Sequence, residues 1–257
     1  MLIAVDIGNS SINIGYFTKN DLVVQFIDTK PRKNATEYRR IISRFMSQNH
    51  LEKNFFNVII SSVVLRHTSV LKQSLNDLIV KDKGKLLIVN HKMNTGLRFN
   101  INNPEKLGTD RIADAVGACD IYDPPVAVFN FGTATTITIV DKHRNYIGGS
   151  ILPGVGLMNE SLDIAASKLK KIALKPPLSA LGTDTTGCIS SGLFYGTAGA
   201  AERILDEIEK QTGSKFKVII TGGHGTVMDK FIKRHHRHDP DLTLKGLKII
   251  HEKNRTA

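Results

Sequence analysis

Cysteine is scarce in this chain of 257 residues: Cys119 and Cys188 stand apart, among small or apolar neighbours, without ligand spacing or a disulfide framework. This argues against a cystine scaffold and suits a reducing cytoplasm, with both thiols expected to be buried and inert. No apolar run approaches the roughly 18 residues of a membrane span. The short apolar start is cut by Asp6 and has no basic leader, so neither a signal peptide nor a membrane partner is expected. A P-loop is also missing, since no glycine-rich stretch ends in Gly-Lys-Ser or Gly-Lys-Thr. Acidic residues are in deficit, with 24 Asp and Glu against 35 Lys and Arg, for a formal charge of +11. Such a surface attracts anions, nucleotides among them. The basic residues are nonetheless scattered, with local clusters only at Lys168, Lys170 and Lys171 and at Lys233 and Arg234. Solvated faces account for most of them, and a nucleic-acid partner is not expected.

What the chain does have is a repeated turn. Leu2 to Val5 is an apolar strand that runs into Asp6, then Ile7, Gly8, Asn9, Ser10 and Ser11, after which alternation resumes through Ile12, Asn13, Ile14 and Tyr16. This is the pattern of a β-hairpin with a polar tip. Gly8 allows close backbone approach, Asn9, Ser10 and Ser11 offer donors to phosphate oxygens, and Asp6 is suited to a hard cation such as Mg²⁺. A second copy follows at Val126 to Val140, with Asn130-Phe131-Gly132-Thr133 at its turn, and Thr221-Gly222-Gly223-His224-Gly225 follows a further buried strand. The order of these elements is similar to that of the actin-like and sugar-kinase ATPases, in which two related domains clamp ATP between them.

Helical spacing predicts a helix from about Ala35 to Gln48, through Tyr38, Ile41, Ile42, Phe45 and Met46. Val58 to Ile60 reads as a buried strand ending in Ser61-Ser62, and Leu86 to Val89 as another. Hairpin strands followed by alternating helix and strand imply an α/β fold with a mixed β-sheet and flanking helices, and the similarity to those ATPases implies two such related domains, actin-like (ribonuclease H-like) in type. The boundary is expected near Pro124-Pro125, giving domains 1–122 and 123–257. Between the hairpins, Gly108-Thr109-Asp110-Arg111 heads a helical segment in which Thr109 or Asp110 could act merely as a cap. Leu181 to Thr186 reads as a polar loop, Gly187 to Glu209 as a long helix and His235 to His238 as a solvated turn.

Taken together, Asp6 to Ser10, Gly108 to Arg111, Gly132 to Thr136, Gly148-Gly149 with Pro153-Gly154, Asp184-Thr185 with Ser191-Gly192, Thr221 to Gly223 and Asp241 to Leu247 resemble the type III pantothenate kinases over nearly the whole chain. The resemblance implies a cytoplasmic homodimer that phosphorylates pantothenate with ATP, using Mg²⁺ and a monovalent cation, K⁺ or NH₄⁺. By position, Asp6, Ile7, Gly8, Asn9, Ser10, Ser11, Ile12, Asn13 and Thr133 would bind ATP, with Asp6 near Mg²⁺. Gly108, Thr109, Asp110, Arg111 and Thr185 would line the pantothenate site, and Asp110 would be the general base.

Two positions depart from the family pattern. Asn130 stands where the family usually has an acid that helps hold the monovalent cation. An amide oxygen still coordinates K⁺ but brings no full charge, so weaker or altered cation dependence is expected. Ile101 stands where a tyrosine is often found before the Gly-x-Asp-Arg element. Two alternatives remain open at this stage: a non-catalytic regulatory or transcription-accessory relative, and a kinase for another small alcohol.

Overall fold

The structure, a computed structural model, describes residues 1–19, 21–51, 57–76, 78–79 and 84–255. The chain divides into two compact units: Met1–Leu97 with Asn102–Gly117 and Leu242–Ala257, and Arg98–Ile101 with Ala118–Asp241.

The first unit is built on five strands, β1 (Leu2–Ile7), β2 (Ser11–Phe17), β3 (Leu22–Asp28), β4 (Asn57–Ser62) and β5 (Leu86–Ile88), in the order β3-β2-β1-β4-β5. β1, β2 and β3 form an antiparallel meander, while β4 and β5 run parallel to β1. Strand alternation decides what faces where. Ile3, Val5, Ile7, Ile12, Ile14, Val58 and Ile60 form a core with Tyr38, Ile42 and Met46 of α1 (Ala35–Gln48) and Leu71 and Leu75 of α2 (Leu65–Asn76). The intervening positions Asp6, Asn13 and Ser61 therefore share the opposite face. α1 coincides with the span its periodicity predicts and opens with a capping box between Asn34 and Glu37.

The second unit repeats the plan. β7 (Val126–Phe131), β8 (Ala134–Val140) and β9 (Asn145–Pro153) form the meander, and β10 (Lys217–Thr221) and β11 (His236–His238) run parallel to β7, with a short β6 (Arg98–Phe99) beside β9. Its core joins Ala127, Phe129, Phe131, Ile137, Ile139, Val218 and Ile220 to Ile189, Leu193, Phe194, Ala198, Ala201 and Leu205 of α5 (Thr185–Thr212). Asn130, Thr136 and Thr221 are thereby left on the other face.

Four expectations require correction. The boundary expected between 122 and 123 does not hold for the C-terminus. α7 (Leu242–Lys253) counts with the first unit, because Gly246 and Gly117 let it approach α3 (Thr109–Tyr122) at backbone distance. A Cβ at Gly246 would overlap the Ala113 carbonyl oxygen. His236 to His238 form an edge strand rather than a turn, with Val218 level with His236. Thr185 and Thr186 begin α5 instead of ending a loop, because Asp184 caps the helix by accepting from the Gly187 amide at 2.7 Å. Cys119 is buried as expected, whereas Cys188 is exposed.

Candidate active site

In the first unit the hairpin between β1 and β2 closes with the Gly8 amide donating to the Ser11 carbonyl at 3.0 Å. Thr29, just past β3, braces the tip by donating from Oγ1 to the Asn9 carbonyl at 2.8 Å and from its amide to Ser10 at 3.2 Å. Asn9 and Ser10 are exposed there, while Ile7 and Ile12 are fully buried. Of the residues expected to meet ATP, these two isoleucines therefore have only main-chain groups to offer, because their side chains belong to the core.

Beneath the tip, Ser61 donates from Oγ to Asp6 Oδ1 at 2.9 Å, and Ser61 Oγ lies 3.1 Å from Thr109 Oγ1. Thr109 also accepts from the Ser62 amide at 2.9 Å. The Thr109 side chain is thus more than a helix cap: it fastens the first turn of α3 to the end of β4. Asp110 follows it, accepting from the Arg111 amide at 2.8 Å. A Cβ at Gly108 would lie 2.5 Å from Asp110 Oδ1, so a side chain there would push the carboxylate out of its place. Of the residues singled out in the sequence, the structure brings Asp6, Thr109 and Asp110 together. Ser61 is the member the sequence analysis missed. Its signal was a hydroxyl pair ending a buried strand, the place Asp6 holds in β1.

Electrostatics sets this cluster apart. Burial, the neighbouring Asp110 and, less strongly, Asp114 push the Asp6 carboxyl up to about 8, against the Ser61 hydrogen bond. Burial likewise raises Asp110, opposed by the amide and charge of Arg111. Among the described residues, carboxyls and the Ser61 hydroxyl are the groups that act on Asp6, surroundings that a hard divalent cation would neutralise. Among the described residues no group of three or more His, Cys, Asp or Glu could hold a metal ion. Mg²⁺ commonly binds through one or two carboxylates completed by water and phosphate oxygens, and Asp6 suits that mode.

In the second unit, Asn130 lies level with Thr136 on β8 and Thr221 on β10. The hydroxyls of Thr136 and Thr221 are buried without a hydrogen-bond partner among the described residues, as is that of Thr135. Gly222 has φ +94°, and a Cβ there would overlap Asn130 Oδ1. The site thus offers uncharged oxygens against bare backbone. Thr133 forms the hairpin tip, and its carbonyl accepts from the Gly154 amide at 3.0 Å. Thr185 is exposed on the first turn of α5, where it lines a hollow of about 610 Å³ with Asp184, Cys188, Leu162 and Leu169.

The chain matches the family model for type III pantothenate kinases over residues 2–207. It belongs to the type III pantothenate kinases. Relatives bearing that name include those of Agathobacter rectalis, 35% identical over 98% of this chain and 97% of the relative, and Brevibacillus brevis, 35% identical over the whole of both. That of Moorella thermoacetica is 33% identical over 99% of this chain and all of its own. Solved structures at lower identity share the fold. A Campylobacter jejuni protein assigned to the Baf family of transcriptional activators superposes with TM-score 0.62 at 22% identity, covering 99% of this chain and 100% of its own. The activator of 2-hydroxyisocaproyl-CoA dehydratase from Clostridium difficile, with bound ADPNP, gives 0.54 at 11% identity over 99% and 96%. The fold they share is that of two mixed sheets with flanking helices.

Proposed function

We propose that this chain transfers the γ-phosphoryl group of ATP to the primary hydroxyl of pantothenate, the first step of coenzyme A synthesis. The observation that carries the reading is the side-chain chain Asp6–Ser61–Thr109, which ties the phosphate hairpin to the helix turn bearing Asp110. Phosphoryl transfer depends mainly on alignment and charge stabilisation. A rigid link between phosphate-binding and hydroxyl-activating groups serves that need. Asp110 accepts the hydroxyl proton as the oxygen attacks the γ-phosphorus, and the bond to the leaving ADP oxygen breaks. The tip amides and hydroxyls of Gly8 to Ser11 hold phosphate oxygens, and Thr133 contributes from the second hairpin. Gly108, Thr109, Arg111 and Thr185 contact pantothenate. Asp6 would hold Mg²⁺, which when bound neutralises charge on the phosphate oxygens.

Asn130, with the unpartnered Thr136 and Thr221 hydroxyls, supports a monovalent-cation site of neutral oxygens, weaker than one built on a carboxylate. The exposed apolar side chains Ile151, Ile164, Leu178 and Leu181 of the second unit support pairing of two copies. Among the described residues no helix is long and apolar enough to cross a membrane, and the reaction is assigned to the cytoplasm.

The test is ATP- and Mg²⁺-dependent phosphorylation of pantothenate by the native protein and Asp110→Asn, titrated with K⁺, NH₄⁺ and Na⁺. Turnover that the substitution removes supports the reading. Absence of turnover with every cation would overturn it.

A further inference from the structure

Thr29 stands just past β3 and is 2% exposed. It reaches two successive carbonyls of the first hairpin: Oγ1 donates to Asn9 at 2.8 Å, and the backbone amide donates to Ser10 at 3.2 Å. Satisfying those carbonyls does not require a buried threonine, because Asn9 and Ser10 are exposed and water would serve. What the two bonds add is direction. In a planar trans peptide the carbonyl and the amide that follows it point to opposite sides. Drawing the Asn9 and Ser10 carbonyls toward Thr29 therefore turns the amides of Ser10 and Ser11 away from it. The Gly8 amide, by contrast, is engaged inside the hairpin, where it donates to the Ser11 carbonyl at 3.0 Å. Successive backbone amides held in a fixed direction are the donor set that suits phosphate oxygens.

We propose that Thr29 is a positioning residue of the phosphate site: its hydroxyl and amide fix the two tip peptides in the direction in which the Ser10 and Ser11 amides donate to phosphate oxygens. The inference rests on the assignment of the ATP phosphates to this hairpin. Thr29 needs no contact with the nucleotide, since it acts through Asn9 and Ser10.

The experiment measures ADP binding to the full-length protein by isothermal titration calorimetry with Mg²⁺ present, and follows the tip amides by NMR. Thr29→Val keeps the β-branched shape and the backbone bond to Ser10 and removes only the donor to Asn9. It is expected to raise the ADP Kd roughly three- to tenfold, and the KM for ATP with it, while the KM for pantothenate stays put. Thr29→Ser keeps the hydroxyl and is expected to bind ADP like the native protein. A native Kd and a native KM for ATP in folded Thr29→Val overturn the inference. If that variant does not fold, Thr29→Ala also lacks the donor, and the same result there overturns it. In the native protein, ADP is expected to shift the Ser10 and Ser11 amide resonances more than that of Gly8; the reverse order would overturn the inference without any variant. Tip amides that all ignore bound ADP would instead sink the phosphate assignment of the hairpin, whatever Thr29 does.

Discussion

Asn130 occupies in the second sheet the place that Asp6 occupies in the first: Asp6 is level with Ser61 on the parallel neighbour, and Asn130 with Thr221. The repeat preserves register and a hydroxyl-bearing neighbour while exchanging a carboxylate for an amide. Asn130→Asp would place a full charge beside two hydroxyls that have no partner among the described residues. It is expected to steepen activation by K⁺ and lower the half-saturating concentration roughly tenfold. Turnover measured against KCl, with Na⁺ as the control, checks this. Identical titrations of the two proteins would remove residue 130 from the cation site.

Asp110 combines burial with a nearby cation, and burial wins, so its carboxyl lies above the ordinary value of 3.8. In its proposed role as proton acceptor Asp110 works only when ionised, so turnover is expected to fall as pH drops through that raised value. Arg111 opposes the shift, and Arg111→Gln is expected to move the acid limb of kcat/KM upward by about one pH unit. Asp110→Asn should cost at least ~100-fold in kcat. Profiles recorded from about pH 5 to 9 decide both points; a limb that ignores Arg111 would belong to another group.

Much of this was legible because alternation and helical spacing are local properties. Ile3, Val5 and Ile7 declare one face of β1, and that alone puts Asp6 on the other. The repeat of the polar tip at Gly132 exposed the duplication before any strand order was known. What stayed hidden depends on contacts distant in sequence. Ser61 matters because β4 lies beside β1, and Thr29 because its hydroxyl reaches Asn9 across 20 positions. The edge strand His236 to His238 carried no apolar signature, since parallel pairing needs only backbone. α7 reads as part of the second unit by position alone, and only the packing of its Gly246 against α3 places it with the first.

Gly222 offers a test of the turn itself. Its φ of +94° is a conformation that side chains rarely adopt, and a Cβ would collide with Asn130 Oδ1 and the Phe131 backbone. Gly222→Ala is expected to cost about 1–3 kcal/mol and to displace the Asn130 amide. Thermal unfolding gives the first quantity. The KM for ATP should rise with it; a variant that loses stability while keeping its KM would separate this turn from nucleotide binding.

The ion pair of Glu209 on α5 with Arg234 before β11 should anchor the second unit. Arg234 donates from Nη1 to Oε1 at 3.1 Å and from Nη2 to Oε2 at 2.5 Å, while Glu209 keeps 4% of its side-chain surface and Arg234 22%. Lys233 and Arg234 therefore do not behave alike: the second is bound into the fold rather than lying on a solvated face. Burial alone would raise Glu209, but the hydrogen bonds from Arg234, Lys215 and the Phe216 amide together bring it from 4.5 down to about 2. Because the folded value is depressed, its stabilisation is fully present above about pH 4.5 and is lost as pH falls toward 2. Lys215 adds little, being 85% exposed. Glu209→Gln is expected to cost roughly 2–3 kcal/mol at neutral pH, below the loss for a fully buried pair. Urea unfolding of both proteins from pH 7 downward measures the difference, which should shrink once the native glutamate begins to protonate. A difference that stays constant with pH would assign the stabilisation to packing of α5 and not to charge.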